Sequence, residues 1–240
     1  MRSVLVAVLV PVLVVFLIGP YTFMPSLLEY AVARDVQARL GAERQPDVSL
    51  KSDPALEMLA GAFSGGHIVL KKTEIGGVRA ERARIDLDPF DINVWDSMWS
   101  GHVVDREPLS GEIRVEVSEE EVSRLVKVGS DMPVSDVELK EDGMVVKSEV
   151  SAFGAQFPVS VDGDLGLSDG SLVFEPQSLE AAGIPVPQEL SDKLLAGAKF
   201  DYSLDRLPYE TRITGVRAEG GQVVLTGRVP SIPLGVYPGG

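Results

Sequence analysis

Residues 134–174 read VSDVELKEDGMVVKSEVSAFGAQFPVSVDGDLGLSDGSLVF, and this stretch sets the fold class of the chain. Short runs rich in β-branched residues alternate in it with acidic turns that contain glycine, a pattern that is typical of antiparallel hairpins. The two turns are Glu141-Asp142-Gly143 and Ser168-Asp169-Gly170. The sequence therefore predicts strands at residues 134–139, 144–150, 159–167 and 171–174.

Strand patterns continue on both sides of this stretch and alternate with short amphipathic helices. Strands are predicted at residues 67–74, 78–87, 111–117, 200–204, 211–218 and 222–229. Helices are predicted at residues 26–40, from Asp53-Pro54 to residue 63, from Ser118 with its capping-box Glu121, and at residues 187–198. We expect an α+β fold in which a strongly twisted antiparallel β-sheet wraps around amphipathic helices.

Two of these helices carry a strong apolar face. The faces are formed by Leu56, Leu59 and Phe63 on the first helix and by Leu190, Leu194 and Leu195 on the second. We expect both faces to line an apolar cavity. A plain core packed against the sheet would show the same periodicity, so the pattern leaves both interpretations open.

The N-terminus predicts a membrane anchor. Residues 4–24 carry no charge over 21 positions, about the length that a helix needs to cross a bilayer. No Ala-x-Ala cleavage site follows closely, since the nearest one is Ala31-Val32-Ala33, so an uncleaved anchor is favoured over a signal segment. We expect residues 1–25 to anchor the chain, residues 26–232 to form a domain outside the cytoplasm, and residues 233–240 to form a flexible tail.

The composition argues against several functional classes. The 240-residue chain has a net charge of −14, whereas affinity for nucleic acids comes mostly from Lys and Arg. It contains no cysteine, which excludes disulfides and thiolate metal sites. No Gly-x-Ser-x-Gly elbow accompanies the two histidines, His67 and His102, and the cluster Asp162-Gly163-Asp164 lacks the further ligands of a calcium loop. We therefore expect no nucleic-acid partner, no cofactor or metal, and a binding protein rather than an enzyme.

Two surface features could contact a lipid. Trp95, Met98 and Trp99 share a face if they lie on a short helix, which would suit a membrane interface, a pocket mouth or ordinary core packing. The one basic-leaning stretch of the chain could hold a headgroup phosphate, or its side chains could pair with the interleaved Glu74 and Glu81. The headgroup candidates in that stretch are Lys71, Lys72 and Arg82.

Several stretches carry a family resemblance. They are Pro46-Asp47-Val48, ALEMLAGAF at residues 55–63, the strand-to-helix passage at residues 113–126, LPYETRITGV at residues 207–216 and GGQVVLTG at residues 220–227. In these the chain resembles the LmeA family of actinobacterial phospholipid-binding envelope proteins, and it departs from the family at residues 95–106. The resemblance implies an elongated fold like that of tubular lipid-binding proteins. It also implies binding of phospholipids, including phosphatidylinositol, and a role in lipoglycan (mannan) assembly, and it brings no catalytic residue.

Together these features favour a phospholipid-binding protein that is tethered to the plasma membrane and has its main domain on the periplasmic side. Transfer of the bound lipid is one form that this function could take. The protein's expected partners are phospholipid, the membrane and envelope-biosynthesis proteins. Two alternatives stay open at this point: an envelope scaffold or assembly factor without a lipid cavity, and an enzyme acting on lipid-linked sugars. The second lacks a recognisable nucleophile and base.

The uncharged run predicts that residues 1–24 remain on the mature protein. N-terminal sequencing of the protein purified from native membranes should start before residue 24. A mature N-terminus beyond that position would show that the segment is a cleaved signal.

Overall fold

A computed structural model of the chain describes residues 29–30, 32–34, 36–37, 44–53, 57–100, 103–141, 143–152, 155–181, 186 and 188–232. The side chains of residues 58, 59, 98, 152, 155 and 190 are outside this description. The named elements are β1 (Asp47–Lys51), α1 (Glu57–Ala60), β2 (Ala62–Phe63), β3 (Gly65–Ile75), β4 (Val78–Leu87), β5 (Phe90–Asp91), α2 (Val94–Ser100), β6 (Leu109–Ser118), α3 (Glu119–Gly129), β7 (Val134–Lys140), β8 (Gly143–Ala152), β9 (Ala155–Ser168), β10 (Ser171–Ala181), α4 (Gln188–Ala198), β11 (Phe200–Ser203), β12 (Arg212–Glu219) and β13 (Gln222–Ile232).

The chain divides into two compact units. The first unit comprises the described residues up to 70 together with 85–111 and 231–232, and the second unit comprises 71–84 and 112–230. One sheet has six strands in the order β1-β3-β4-β6-β13-β12, another has five in the order β11-β10-β9-β8-β7, and β2 pairs with β5. The predicted class is thereby confirmed in its main part, because the fold is mostly antiparallel β-sheet with a few helices.

The five-stranded sheet of the second unit contains both hairpins that the sequence predicts. Strand β9 pairs antiparallel with β8 and with β10, and its pairing with β8 runs without interruption from Met144↔Gly163 to Ala152↔Ala155. Gly163 allows this close approach, since a Cβ there would lie 2.3 Å from the Glu175 carbonyl oxygen and 2.8 Å from the Phe174 ring. The position can therefore hold only glycine without a shift of the neighbouring strand.

The core of the second unit follows from this register. Residues of alternate positions on the central strands turn to one face of the sheet, and Met144, Val146 and Val161 are fully buried there. Phe174 on β10 is 1% exposed and pairs with Leu165 on β9. The apolar residues whose pattern predicted these strands are therefore buried in this core.

The first unit is held together by side-chain to backbone contacts as well as by strand pairing. Residues 29–30, 32–34 and 36–37 are helical, as predicted for that region, and Val32 and Val36 are buried. The Leu50 N–H donates to Glu29 Oε1 at 3.0 Å, which ties this helical segment to β1.

The predicted helix from Asp53-Pro54 to residue 63 is wrong in its second half. Helix α1 ends at Ala60, and Ala62 and Phe63 form strand β2 instead. Gly61 has a φ of +86°, which stops a right-handed helix, and its carbonyl accepts the Ile92 N–H at 2.8 Å. A tertiary contact thus ends the helix at a residue that periodicity alone would have included.

Two further expectations concern the ends of the chain and its shape. The predicted anchor at residues 1–25 and the tail at residues 233–240 lie outside the described residues. Within the part of the chain that the structure describes, no helix combines the length and the apolar character needed to cross a bilayer. The elongated form of the sheet and its wrapping around the helices stay predictions.

Replacing Phe174 by alanine should destabilise the second unit strongly, because the ring fills a buried position over Gly163. We expect a loss of about 3–5 kcal/mol in the free energy of unfolding, measured by urea denaturation. Val128→Ala is the matched control, since Val128 on α3 is 79% exposed, and it should change stability by less than about 0.5 kcal/mol. Equal effects of the two substitutions would contradict the assignment of Phe174 to the core.

Candidate functional site

The residues predicted to line a cavity are distributed over both units. Leu56 lies outside the described residues, whereas Leu59 on α1 and Leu190 on α4 are placed without their side chains. Phe63 lies in β2 and stacks on Phe90 of β5, with ring centroids 4.9 Å apart. The lining of a cavity by these residues stays a prediction.

Helix α4 presents a partly open apolar surface. Its Leu194 and Leu195 are half-buried, whereas Ala198 at its last position is fully buried. The helix packs against β10 of the five-stranded sheet. Two adjacent leucines of this helix are therefore covered only in part, and their contact with a lipid stays a prediction.

The three candidate headgroup contacts are all exposed on the hairpin of β3 and β4. Lys71 and Lys72 are neighbours in β3, and both point outward because Lys72 has a φ of +50° that interrupts the alternation of the strand. Arg82 lies on β4. The fold thus leaves three cationic side chains on one hairpin, in a chain of net charge −14.

The two tryptophans lie on α2 and are not core residues. Trp95 is 70% exposed and Trp99 is 87% exposed. Helix α2 is secured by its polar ends rather than by these rings: Asn93 Oδ1 accepts the Asp96 N–H at 3.3 Å, and Ser97 Oγ accepts the Val104 N–H at 2.9 Å. Of the interpretations open for these residues, core packing is wrong for both tryptophans.

A polar cleft of about 740 Å³ lies in the second unit, beside the first turn of α3. The polar cleft has an excess of carboxylates over cations and is lined by Arg79, Glu81, Ser118, Glu119, Glu120, Glu121, Ser123, Arg124, Lys127, Asp136 and Val137. The sequence predicted the cap of this helix, because Ser118 Oγ accepts the Glu121 N–H at 3.4 Å. It did not predict that the hairpin of β3 and β4 would supply a wall of a cleft there.

Glu121 is the most buried charged group of the cleft, with 6% exposure, and it joins α3 to the hairpin. Its Oε1 accepts the Arg79 backbone N–H at 3.0 Å, and its Oε2 accepts from Arg124 Nε at 2.8 Å. Arg124 also donates to the Gly77 carbonyl at 3.2 Å. The spacing of Glu121 and Arg124 three residues apart on a helix was the only signal of this network in the sequence.

The electrostatics of Glu121 follow from these contacts. Burial alone would raise its pKa, but the hydrogen bonds from Arg124 and from the Arg79 N–H, together with the two positive charges, lower it below its usual range. The carboxylate is therefore ionised and fully engaged in holding the fold. Among the described residues there is also no group of three or more acidic or histidine side chains that could hold a metal ion.

Because the folded-state pKa of Glu121 is depressed, its contribution to stability is present above the pKa of an unfolded glutamate, about 4.3, and is lost as the pH falls through the folded value. Glu121→Gln should therefore lower the free energy of unfolding by about 1–3 kcal/mol at pH 7. It should also weaken the fall of that free energy as the pH drops below neutral. Urea denaturation at several pH values measures both effects. Glu120→Gln removes the same charge at an exposed neighbouring position, and it should leave both the stability and its pH dependence nearly unchanged.

The comparisons with known proteins agree with the resemblance seen in the sequence. Residues 21–228 match the model of the LmeA-like phospholipid-binding family. No curated protein and no solved structure matches the chain significantly. The match extends over both units and over nearly all of the described strands. The chain belongs to the LmeA-like phospholipid-binding family.

Proposed function

We propose that the protein is a phospholipid-binding protein of the cell envelope, held at the outer face of the plasma membrane by its N-terminal segment. The observation that carries this proposal is the family match, which covers the β-rich part of the chain as a whole. In this proposal the bound lipid serves lipoglycan (mannan) assembly, either through transfer of the lipid or through contact with envelope-biosynthesis proteins. The protein binds its ligand and does not transform it.

Binding of a phospholipid requires two kinds of surface. The acyl chains need apolar side chains that the protein itself covers incompletely, and Leu194 and Leu195 on α4 are of this kind. Each Å² of apolar surface removed from water contributes about 25 cal/mol, so an acyl chain gains several kcal/mol from even a shallow apolar site. We propose these leucines as part of the lipid-contacting surface.

The phosphate needs hydrogen-bond donors that carry positive charge. Lys71, Lys72 and Arg82 supply them on the exposed hairpin, and charge-assisted hydrogen bonds to phosphate are among the strong ones in proteins. All three are exposed on the hairpin of β3 and β4, which also carries the exposed Glu74 and Glu81. We propose them as headgroup contacts.

Lipid extraction followed by mass spectrometry tests the binding proposal. The full chain, purified from membranes in mild detergent and exchanged extensively, should retain phospholipid at a constant molar ratio. An envelope scaffold without a lipid site would retain only the detergent-exchangeable lipid of the anchor, and its ratio would fall with continued exchange. That result would contradict the proposal.

Tryptophan substitution on α4 tests the location of the site. Leu194→Trp should fill the proposed apolar site on α4 and lower retained phospholipid severalfold, while thermal unfolding stays close to that of the original chain. Ala196→Trp on the same helix is the control, since Ala196 is exposed, and it should leave lipid retention unchanged. An unfolded variant, or one that retains lipid normally, would show that Leu194 belongs to a plain core.

A further inference from the structure

Helix α2 carries the most unusual surface of the described chain. Trp95 and Trp99 lie four residues apart, hence on one face of the helix, and they are the only tryptophans in the sequence. At 70% and 87% exposure, these two large side chains stand mostly in water. A folded protein gains nothing from this arrangement by itself, because each ring could bury some 150 Å² or more of mostly apolar surface.

The exposure is a property of a fixed helix and not of a loose segment. Val94 at the start of α2 and Ile92 just before it are both buried, so the helix is rooted in the core of the first unit. Asn93 and Ser97 bind backbone groups at its base. The fold therefore holds both rings outward in a defined position, as an interaction surface requires.

The first unit is also the unit that is closest in sequence to the proposed anchor. The predicted membrane-spanning segment ends at residue 24, and Glu29, five residues later, is already bonded to Leu50 of β1. Five residues span at most about 18 Å. A membrane-spanning segment at residues 4–24 would therefore keep the first unit within a short distance of the bilayer surface. Any contact between the unit and the lipid is then intramolecular, at an effective concentration of about millimolar.

We infer that α2 docks the first unit onto the phospholipid bilayer, with the Trp95 and Trp99 rings inserted at the level of the headgroups. This inference rests on the anchoring included in the proposed function. Tryptophan is enriched at membrane–water interfaces because its ring is apolar and its N–H still finds a partner there. The interfacial layer of the membrane is the one partner that would both cover the apolar face of α2 and lie within reach of the short connection to residue 24.

The charges around α2 decide how the docking responds to lipid composition. Residues 84–106 contain five aspartates and two arginines, and Asp91 and Asp96 are exposed beside the tryptophans. The nearer arginine, Arg106, is also exposed, and its backbone N–H donates to the Asp91 carbonyl at 3.2 Å, so carboxylates outnumber cations around α2. Docking must therefore be apolar, since an anionic surface repels this region. It should be stronger on zwitterionic than on anionic bilayers at low salt, and added salt should reduce the difference by screening.

Intrinsic fluorescence offers a direct test, because every tryptophan signal comes from α2. The full chain is reconstituted into phosphatidylcholine vesicles that contain phosphatidylcholine spin-labelled near the headgroup or deep in the acyl chain. We expect strong quenching by the shallow label, weaker quenching by the deep label, and protection from aqueous iodide. Vesicles with added phosphatidylglycerol should give less quenching at low salt.

A single substitution measures the contribution of the Trp99 ring. In Trp99→Ala the remaining Trp95 is the reporter, and the ratio of docked to undocked protein should fall at least about tenfold, since one tenfold step needs only about 1.4 kcal/mol. Val128→Ala is the control, because it removes an exposed apolar side chain from α3 in the second unit, and quenching should not change. The far-ultraviolet circular dichroism of each variant confirms that it is folded.

Three outcomes would overturn the docking. The first is free access of iodide to both tryptophans in vesicles. The second is protection from iodide without quenching by either lipid label, which would place the rings against a protein. The third is quenching by a single spin-labelled lipid per protein in detergent without a bilayer, which would place the rings at the mouth of a lipid pocket.

The test separates this inference from the proposed function. Retained phospholipid in mass spectrometry together with exposed tryptophans would leave lipid binding intact and remove the docking. Lipid quenching in a protein that retains no phospholipid would support the docking and contradict the lipid-binding function.

Discussion

Strand β9 is hydrogen-bonded on both sides, and at Gly163 the neighbouring backbone comes so close that a Cβ would lie 2.3 Å from the Glu175 carbonyl oxygen. This close approach lets β9 pair with both β8 and β10 at the point where its register with β10 shifts, between Pro176 and Ser178. A slip of β9 by one residue would turn its own apolar side chains, Val161 among them, to the opposite face. The burial of Met144, Val161 and Phe174, and with it the core of the second unit, depends on this contact.

A second constraint is the buried charge of Glu121. A carboxylate with 6% exposure is costly unless it is paired and hydrogen-bonded, and here the Arg79 N–H and the Arg124 guanidinium meet both needs. The same contacts attach α3 to the hairpin of β3 and β4, whose outer side chains include Lys71, Lys72 and Arg82. These contacts give the polar cleft a structural role, and carboxylates outnumber cations in its lining.

The side chains proposed to contact lipid are apolar ones that the rest of the fold covers incompletely. Leu194 and Leu195 are covered only in part, and the two tryptophans of α2 are hardly covered at all. Buried polar groups are satisfied throughout the described residues, since no buried side-chain nitrogen or oxygen lacks a partner there. Of the two helices α2 and α4, only α2 exposes large apolar side chains, whereas the two leucines of α4 are half-buried, so α2 is the more open to an apolar partner.

The sequence by itself determined ten of the strands, their hairpins, the cap of α3 and the family, because these depend on local patterns: alternation, turn residues, and a serine three positions before a glutamate. It also determined which residue types could contact a lipid. It did not predict the short strands β1, β2 and β5. Only the tertiary structure decided that α1 stops at Gly61 and that Phe63 belongs to a strand, since the cause is a hydrogen bond to Ile92, thirty-one positions away. Only the tertiary structure decided, too, that Trp95 and Trp99 face water while Glu121 is buried. Exposure is set by which other elements cover a residue, and no periodicity within one short helix contains that information.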